Sequence, residues 1–411
     1  MGSGSKPGQI RRRKAAVGVV SSATVLVTDG HLRSSLAVVR SLGRAGYRVC
    51  VCAATQRSLA GASRHVAERA VVPGALAEPQ RHADTVAELV RRWSVDLLFP
   101  MSEESMLALL PASPRMPGVR IPFASLGAFC RASDKEAVMT LASSLGIAVP
   151  EQRKIDSARR LRGLDVSMLG FPLVLKPARS VAGAGADRVK MGVTYADDVA
   201  SLERQVRAMP AAGFPLLLQR RIEGRGLGIF LLIWEGRVLA QFSHRRIREK
   251  PPSGGVSVCA ESIAMDDETL AQSRALLEAL HWSGPAMVEF KQDRATGRHY
   301  LMEINGRFWG SLQLAIDAGV DFPALLAAAA LGEPTAPVTH YEVGVCTHWW
   351  WGEVDHLIAR LRGRADAPGL GSRAAAVRAF LLPGRDVRNE VLRLDDPRPF
   401  VRETLEWLHG R

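Results

Sequence analysis

MVEFKQDRATGRHYLMEIN, residues 287–305, decides how the chain is read, together with the Gly306-Arg307-Phe308-Trp309-Gly310 that follows. Met287–Gln292 and His299–Asn305 alternate apolar and polar residues around a polar stretch holding Thr296 and Gly297, the pattern of a β-hairpin with a longer loop. Period two puts Met287, Glu289 and Lys291 on one face, and Leu301, Glu303 and Asn305 on one face of the partner strand. With the turn centred near Thr296, Glu289 lies directly across from Glu303. Like charges opposed across strands destabilise a sheet. At a separation of about 5 Å and an effective dielectric of about 20 the repulsion is about 3 kcal/mol. That is a large part of a domain's net stability of about 5–15 kcal/mol.

Such a pair persists when a cation sits between the carboxylates or when one of them is protonated. Asn305 adds a third oxygen on the same side, and an oxygen-only set suits Mg²⁺, which takes one or two carboxylates, water and substrate phosphates. A solvent-facing hairpin with ordinary charges carries the same residues. Arg307 tilts the reading toward the metal, because a guanidinium beside a metal–carboxylate cluster suits a phosphate. VEFKQD (288–293) and LMEINGRFWGSL (301–312) resemble the metal-binding end of the ATP-grasp superfamily. The likeness is greatest to the branch similar to the carbamoyl-phosphate synthase large chain, whose members are mostly carboxylate–amine ligases. The superfamily pattern Glu…Glu-x-Asn-x-Arg falls on Glu289, Glu303, Asn305 and Arg307. One departure is Gly306, where many relatives carry proline; it is expected to change local stiffness and not the chemistry.

At 411 residues, 47% apolar and 23% charged, the chain has the length for two or three subdomains and the composition of a globular protein. No apolar run reaches the roughly 18 residues of a membrane span. Residues 1–22 imitate a signal peptide without a convincing cleavage site, and read as a flexible basic tail on a cytoplasmic protein. The cysteines, Cys50, Cys52, Cys130, Cys259 and Cys346, are odd in number and scattered, which suggests reduced thiols and no zinc site. The net charge of +13 invites a nucleic-acid partner, but five of those charges lie in the tail, no nucleic-acid motif is present and only 6% of residues are aromatic. Of the 54 basic residues only eight are lysine, at 6, 14, 135, 154, 176, 190, 250 and 291. Where arginine has replaced lysine nearly everywhere, a retained lysine marks a role a planar guanidinium does not fill. That points to Lys135 and Lys176.

Thr24–Thr28, Tyr47–Ala53 and Val95–Phe99 read as strands alternating with helices over 33–45, 80–93 and 103–110, a doubly wound parallel α/β unit. No G-x-G-x-x-G follows the first strand. Asp29, Gly30, Ser102 and Glu103 stand at carboxyl ends of strands, where such sheets bind ligands and where turns and caps also occur. Ser133-x-x-Glu136 reads as a capping box opening a helix over 134–145, which puts Lys135 in a first turn where helix dipole and ammonium favour an anion. Phe171–Pro177 is an apolar strand with Lys176 near its end, a costly burial without an anionic partner. The loop 178–187, with Gly183 and Gly185, brings backbone N–H groups within reach of phosphates. Residues 244–258, HRRIREKPPSGGVSV, read as a movable basic segment or a solvated surface loop. Helix 267–280 starts at Asp266. Two core helices follow residue 311, separated by a turn at 319–323. Trp349 and Trp351 share a face if their segment is a strand, suiting core packing or an aromatic wall for an acceptor. Helix 352–363, a Gly/Ser linker at 364–372 and a helical end near Pro397–Pro399 complete the chain.

The resemblance implies an ATP-grasp fold of mixed α/β and α+β class. Its parts would be an N-terminal doubly wound α/β domain over 23–133, an ATP-grasp domain of two antiparallel-sheet lobes over 134–335 with a lid at about 151–213, and a C-terminal extension over 336–411. It implies that Mg²⁺, or Mn²⁺, binds Glu289, Glu303 and Asn305. ATP would be held by Lys135, by Lys176 on its α- and β-phosphates, and by the Gly183–Gly185 loop. Gln219, Arg221 and Ile222 fall where relatives bind adenine, with Gln219 replacing a common glutamate. The acid that commonly holds the ribose is missing, since Arg225, Gly226 and Leu227 occupy its place. Catalysis would rest on Arg307 and Lys176, with an acyl-phosphate formed from a carboxylate and attacked by an amine. The other readings are an enzyme whose acceptor is a carrier thiol or bicarbonate, and a nucleotide-binding protein without turnover. Small-molecule carboxylate and amine substrates are expected, with no specific nucleic acid and no membrane, and a homodimer is compatible.

Overall fold

Thr24-Val25-Leu26-Val27 is fully buried and forms β1, at the centre of the first sheet. In this computed structural model, which describes residues 23–183, 185–252, 254–363, 372–381 and 386–410, the sheet runs β3-β2-β1-β4 and all its neighbours are parallel. The other strands are β2 (Arg48–Ala53), β3 (Val66–Val71) and β4 (Leu97–Phe99). Helix α1 (Arg33–Arg44) connects β1 to β2, α2 (Pro79–Trp93) connects β3 to β4, and α3 (Glu103–Leu109) follows β4. β3 escapes sequence reading because its side chains are mostly exposed and show no apolar alternation. Pro79 opens α2, where its missing N–H costs nothing, and Ser102 caps α3 by accepting from Ser105 N.

Two helices lead out of this unit, α4 (Leu126–Ser133) and α5 (Lys135–Ser144). The expected capping box is corrected here. Ser133 ends α4, and Asp134 caps α5 by accepting from Ala137 N; a carboxylate at that place satisfies the same amide. A second sheet, ordered β5-β10-β6-β9, is antiparallel at each pairing. It holds β5 (Gln152–Ile155), β6 (Leu173–Pro177), β9 (Thr194–Ala196) and β10 (Leu216–Arg220). Between β6 and β9 lies the small hairpin of β7 (Val181–Ala182) and β8 (Val189–Lys190), and α6 (Val199–Ala208) covers the sheet.

The third sheet has seven strands in the order β15-β14-β11-β12-β13-β16-β17. They are β11 (Gly224–Trp234), β12 (Arg237–Lys250), β13 (Val256–Ser262), β14 (Gly284–Asp293), β15 (His299–Asn305), β16 (Cys346–His348) and β17 (Val387–Asn389). Helix α7 (Asp267–Ala279) starts at the Asp266 cap, and α8 (Leu312–Asp317) and α9 (Phe322–Leu331) pack as core helices. After β16 come α10 (Trp350–Leu361), α11 (Arg373–Leu381) and α12 (Arg398–His409). The anticipated tail at 1–22 and most of the linker at 364–372 lie outside the described residues. Among the described residues no helix is long and apolar enough to cross a membrane.

Two expectations fail in this sheet. Residues 244–250 are not a movable loop but the end of β12, paired with β13. Their cations are engaged: Arg246 with Glu249 and Glu289, Arg248 with Glu353, and Lys250 with Asp355. The tryptophans do not share a strand, because the helix α10 starts at Trp350. Trp349 Nε1 donates to Glu403, and Trp351 Nε1 donates to Thr404 while its ring stacks on Trp407 at 4.0 Å. Trp349 and Trp351 therefore fasten α12, Trp350 packs on Phe380 of α11, and none of the three lines the cleft.

One apolar cluster joins the parallel unit to the large sheet. Phe308, fully buried, lies 6.1 Å from Phe99 of β4 and 5.9 Å from Phe123. The segment following the Glu303 strand is thus anchored in the seam between the two sheets. Gly306 sits there for a steric reason: a Cβ on it would come within 2.3 Å of the Trp282 ring. The absence of proline at this position is a packing requirement, and not only a matter of stiffness.

Candidate active site

Strands β14 and β15 pair antiparallel with Glu289 directly opposite Glu303, as the alternation requires. The register shifts between Glu289 and Phe290, so that Met302 is an extra residue and Leu301 pairs with Phe290. This bulge corrects one detail of the sequence reading. Leu301 is fully buried on the core side, while Met302, Glu303 and Asn305 line the cleft together with Met287, Glu289 and Lys291.

The cleft has a volume of about 390 Å³ and lies between the second sheet and the large sheet. Val174 and Lys176 of β6, Gln219 and Arg220 of β10, and the following Arg221 and Ile222 form its other walls. Arg307 lines both this cleft and a small cavity shared with Glu103, Lys135 and Ser180. Lys176, Gln219, Arg221, Ile222, Glu289, Glu303, Asn305 and Arg307 therefore come together around one space, and Lys135 lines the small cavity that shares Glu303, Asn305 and Arg307 with it. Gly183 and Gly185 do not line it. They stand exposed in the β7–β8 hairpin with φ of +89° and +56°, left-handed conformations that suit glycine.

Charge in the cleft is unbalanced in a telling way. Lys176 is only 9% exposed, and its ammonium makes no hydrogen bond or ion pair among the described residues. Burial lowers its pKa, opposed by the fields of Glu303 and Glu289. Lys135, 8% exposed, donates from Nζ to Ser180 Oγ at 2.8 Å. The amides of its first turn are largely used, since Lys135 N donates to Ala178 O and Ala137 N to Asp134. Its ammonium, and not the helix terminus, is what remains for an anion. Glu289 is pushed up by burial, helped by Glu303 and opposed by Arg246, whose Nη2 donates to Glu289 Oε2 at 2.5 Å. Burial also acts to raise Glu303, but the ammoniums of Lys135 and Lys176 and the amide of Asn305 hold it below the ordinary value. Asn305 Nδ2 donates to Glu303 Oε1 at 3.0 Å, which leaves the Asn305 oxygen as an acceptor.

These residues fit a divalent ion carried by a polyphosphate. Among the described residues no cluster of three or more His, Cys, Asp or Glu forms a metal cage. Two carboxylates and one amide oxygen leave coordination positions for phosphate oxygens and water, as Mg²⁺ prefers. A phosphate would also supply the counter-ion that buried Lys176 lacks. Gln219 donates from Nε2 to Gln152 Oε1 at 2.7 Å, so its own oxygen is the atom oriented to accept from a ligand. Tyr195 lines the cleft as well, with the Arg221 guanidinium 5.5 Å over its ring. Sequence reasoning missed Tyr195, and it placed Arg246 on a loop. Arg246 in fact occupies one oxygen of Glu289, a contact that depends on strand pairing and leaves no local signal.

Asp29 of the N-terminal unit has φ of +53° and accepts from Ser102 Oγ and Ser105 Oγ, both at 3.0 Å. It builds the turn after β1 and lies outside this cleft, whereas Glu103 faces Lys135 and Arg307 in the small cavity.

Residues 214–350, which hold β14, β15 and the cleft's floor, match a family described as ATP-grasp in the biosynthetic pathway with Ter operon. The chain carries an ATP-grasp domain. It is 28% identical over 164 residues to the carbamoyl phosphate synthase large chain of Rubrobacter xylanophilus, a match covering 36% of this chain and 14% of that one. The chain covers between 14% and 26% of the length of the curated relatives it matches. Among solved structures, the L-amino acid ligase from Bacillus licheniformis superposes with a TM-score of 0.59 at 19% identity, over 76% of this chain and 75% of that one. The biotin carboxylase domain dimer of Hydrogenobacter thermophilus 2-oxoglutarate carboxylase, in complex with MgADP, ADP and bicarbonate, gives 0.60 at 16% identity, over 79% and 73%. At these identities the two structures share the fold of this ATP-grasp domain.

Proposed function

We propose that the protein is an ATP- and Mg²⁺-dependent ligase that activates a substrate carboxylate as an acyl-phosphate for attack by an amine, forming an amide bond. The observation that carries this reading is the cross-strand pair Glu289 and Glu303, flanked by Asn305 and faced by the unpartnered ammonium of Lys176. A divalent ion arriving with the nucleotide would neutralise the two carboxylates and the phosphates together. Lys176 and Lys135 hold the phosphates, while Gln219, Arg221 and Ile222 receive the adenine. The β7–β8 hairpin bearing Gly183 and Gly185, which does not line the cleft in this structure, would cover the phosphates with backbone amides on closing over them. Arg307 holds the charge that builds on the phosphoryl group as it passes to the carboxylate. The protein's share is positioning and fixed charge, and no side chain is assigned as a base or nucleophile. A cytoplasmic location goes with this dependence on nucleotide.

The likeness to an L-amino acid ligase supports an amino-acid-like carboxylate and amine. A second reading, bicarbonate in place of the organic carboxylate, is favoured by the likeness to a carboxylase domain bound to MgADP and bicarbonate. ADP release, measured with amino acids singly, in pairs and with bicarbonate, separates them. The ligase reading expects ADP release with a carboxylate, a condensed product only when an amine is also present, and no activity in Glu303→Gln. Release with bicarbonate alone selects the second reading. Nucleotide binding without ADP release under any of these conditions removes both.

A further inference from the structure

A second cavity among the described residues is larger than the nucleotide cleft. A basin of about 870 Å³ adjoins it, reached past Arg221, Gly226, Arg246, Glu249 and Lys291, which line both spaces. One wall is the end of the β11–β14 ladder, where Arg225 pairs with Gln292 and Gly226 with Lys291. Arg294 joins this wall because its backbone N–H donates to Glu223 O at 2.8 Å. The opposite wall is supplied by α10 and α11, through His356, Arg360 and the small side chains of Ala375, Ala376 and Ala379. The lining residues of these helices lie beyond the residues that the ATP-grasp family match covers.

The basin is cationic, and four of its cations have no carboxylate partner among the described residues. Glu249 is committed to Arg246 at 2.9 Å. Asp293 accepts from Ala295 N, Thr296 N and Thr296 Oγ1 within its own turn. Glu223 is an exposed carboxylate in the lining. Against it stand Arg221, Arg225, Lys291 and Arg294, none of which pairs with a carboxylate among the described residues; Arg221 only packs over Tyr195. Gathering like charges in a concave, partly desolvated space is unfavourable unless an anion of matching charge enters. The volume falls in the range of small-molecule sites, about 300–1,000 Å³. Among the described residues no Phe, Tyr or Trp lines it, so they offer no stacking surface of the kind on which single-stranded nucleic acid is held.

We propose that this basin is a second ligand site, separate from the nucleotide cleft, for a small polyanion bearing two or more carboxylates or phosphates. The ligand sits beside the nucleotide, against the α10–α11 wall, and is held by Arg225 and Arg294 with Lys291 and Arg221 at the inner end. Fructose 1,6-bisphosphate and tricarballylate are the probes, titrated calorimetrically at low salt into the full chain, with and without saturating MgADP. The comparison protein is Arg225→Ala/Arg294→Ala, whose side chains are exposed and do not enter the nucleotide cleft. At least one probe binds the MgADP-saturated protein, the double variant weakens it tenfold or more, and ADP affinity stays within twofold. The phosphate or carboxylate probe that binds more tightly identifies the anion. Failure of both probes, mutual exclusion with ADP, or unchanged binding in the double variant overturns the proposal. So does a thymidine oligonucleotide that binds more tightly than either probe with the same variant dependence. If ADP itself does not bind, the nucleotide reading fails separately, and the probe titrations without ADP still decide this one.

Discussion

The opposition of Glu289 and Glu303 has a thermodynamic consequence that a double-mutant cycle isolates. The variants are Glu289→Gln, Glu303→Gln and the two together. Directly opposed residues bring their side chains to about 5 Å, and at an effective dielectric of about 20 the repulsion is about 3 kcal/mol. Lys135 and Lys176 screen it, so the pair term expected from the cycle is between about 1 and 3 kcal/mol, unfavourable. The Arg246 contact to Glu289 is present in both backgrounds of residue 303 and cancels in the cycle. Urea denaturation in EDTA measures this term. In saturating MgADP the wild type gains stability by mass action, about 2.7 kcal/mol at one hundred times Kd, and each single variant loses most of that gain. A coupling of zero, or a favourable one, in the absence of divalent ion would refute the reasoning, because the two acids would then need no ion between them.

Lys176→Met removes a charge-assisted contact of about 1.5–3 kcal/mol, so ADP affinity falls about 10- to 100-fold in a fluorescence titration; an unchanged affinity removes Lys176 from the site. Arg40, fully buried, donates to Asp396 Oδ2 at 2.9 Å and to the carbonyls of Glu390, Val391 and Asp396. Breaking this pair with Arg40→Met leaves Asp396 uncompensated and costs about 3–5 kcal/mol, read from the urea midpoint. Burial pushes Glu403 up to about 7 from 4.5, against the Trp349 N–H that it accepts. The folded protein therefore holds a proton there that the unfolded chain releases. The resulting stability is complete below about pH 4.5 and is lost as pH rises through about 7, on the order of 2 kcal/mol after allowing for partial exposure. Thermal unfolding of the wild type and Glu403→Gln between pH 4.5 and 8.5 measures this: the wild type loses stability relative to the variant, and parallel curves would contradict it.

What could be read from the chain was what local chemistry encodes. Period-two alternation and a turn near Thr296 are enough to oppose Glu289 and Glu303, and one lysine in the apolar run Phe171–Pro177 is enough to mark Lys176. The Met302 bulge was not legible, because an extra residue in a strand does not change composition. The segment 244–250 looked like a solvated basic loop for a similar reason. Its acid partners, Glu289, Glu353 and Asp355, are 43, 105 and 105 residues away. The C-terminal residues were the least legible of all. Arg40 finds Asp396 across 356 residues, and Arg33 finds Glu390 across 357. The cationic basin arises in the same way, from strand ends and late helices that meet only in the folded chain.

Diffraction from crystals grown with Mn²⁺ and ADP, recorded at the manganese absorption edge, tests the central claim most directly. An anomalous peak within coordinating distance of Glu289, Glu303 and the Asn305 oxygen, bridged to a phosphate, is the predicted result. Bound ADP with no peak there, or with both carboxylates still turned to Arg246 and the lysines, would contradict it.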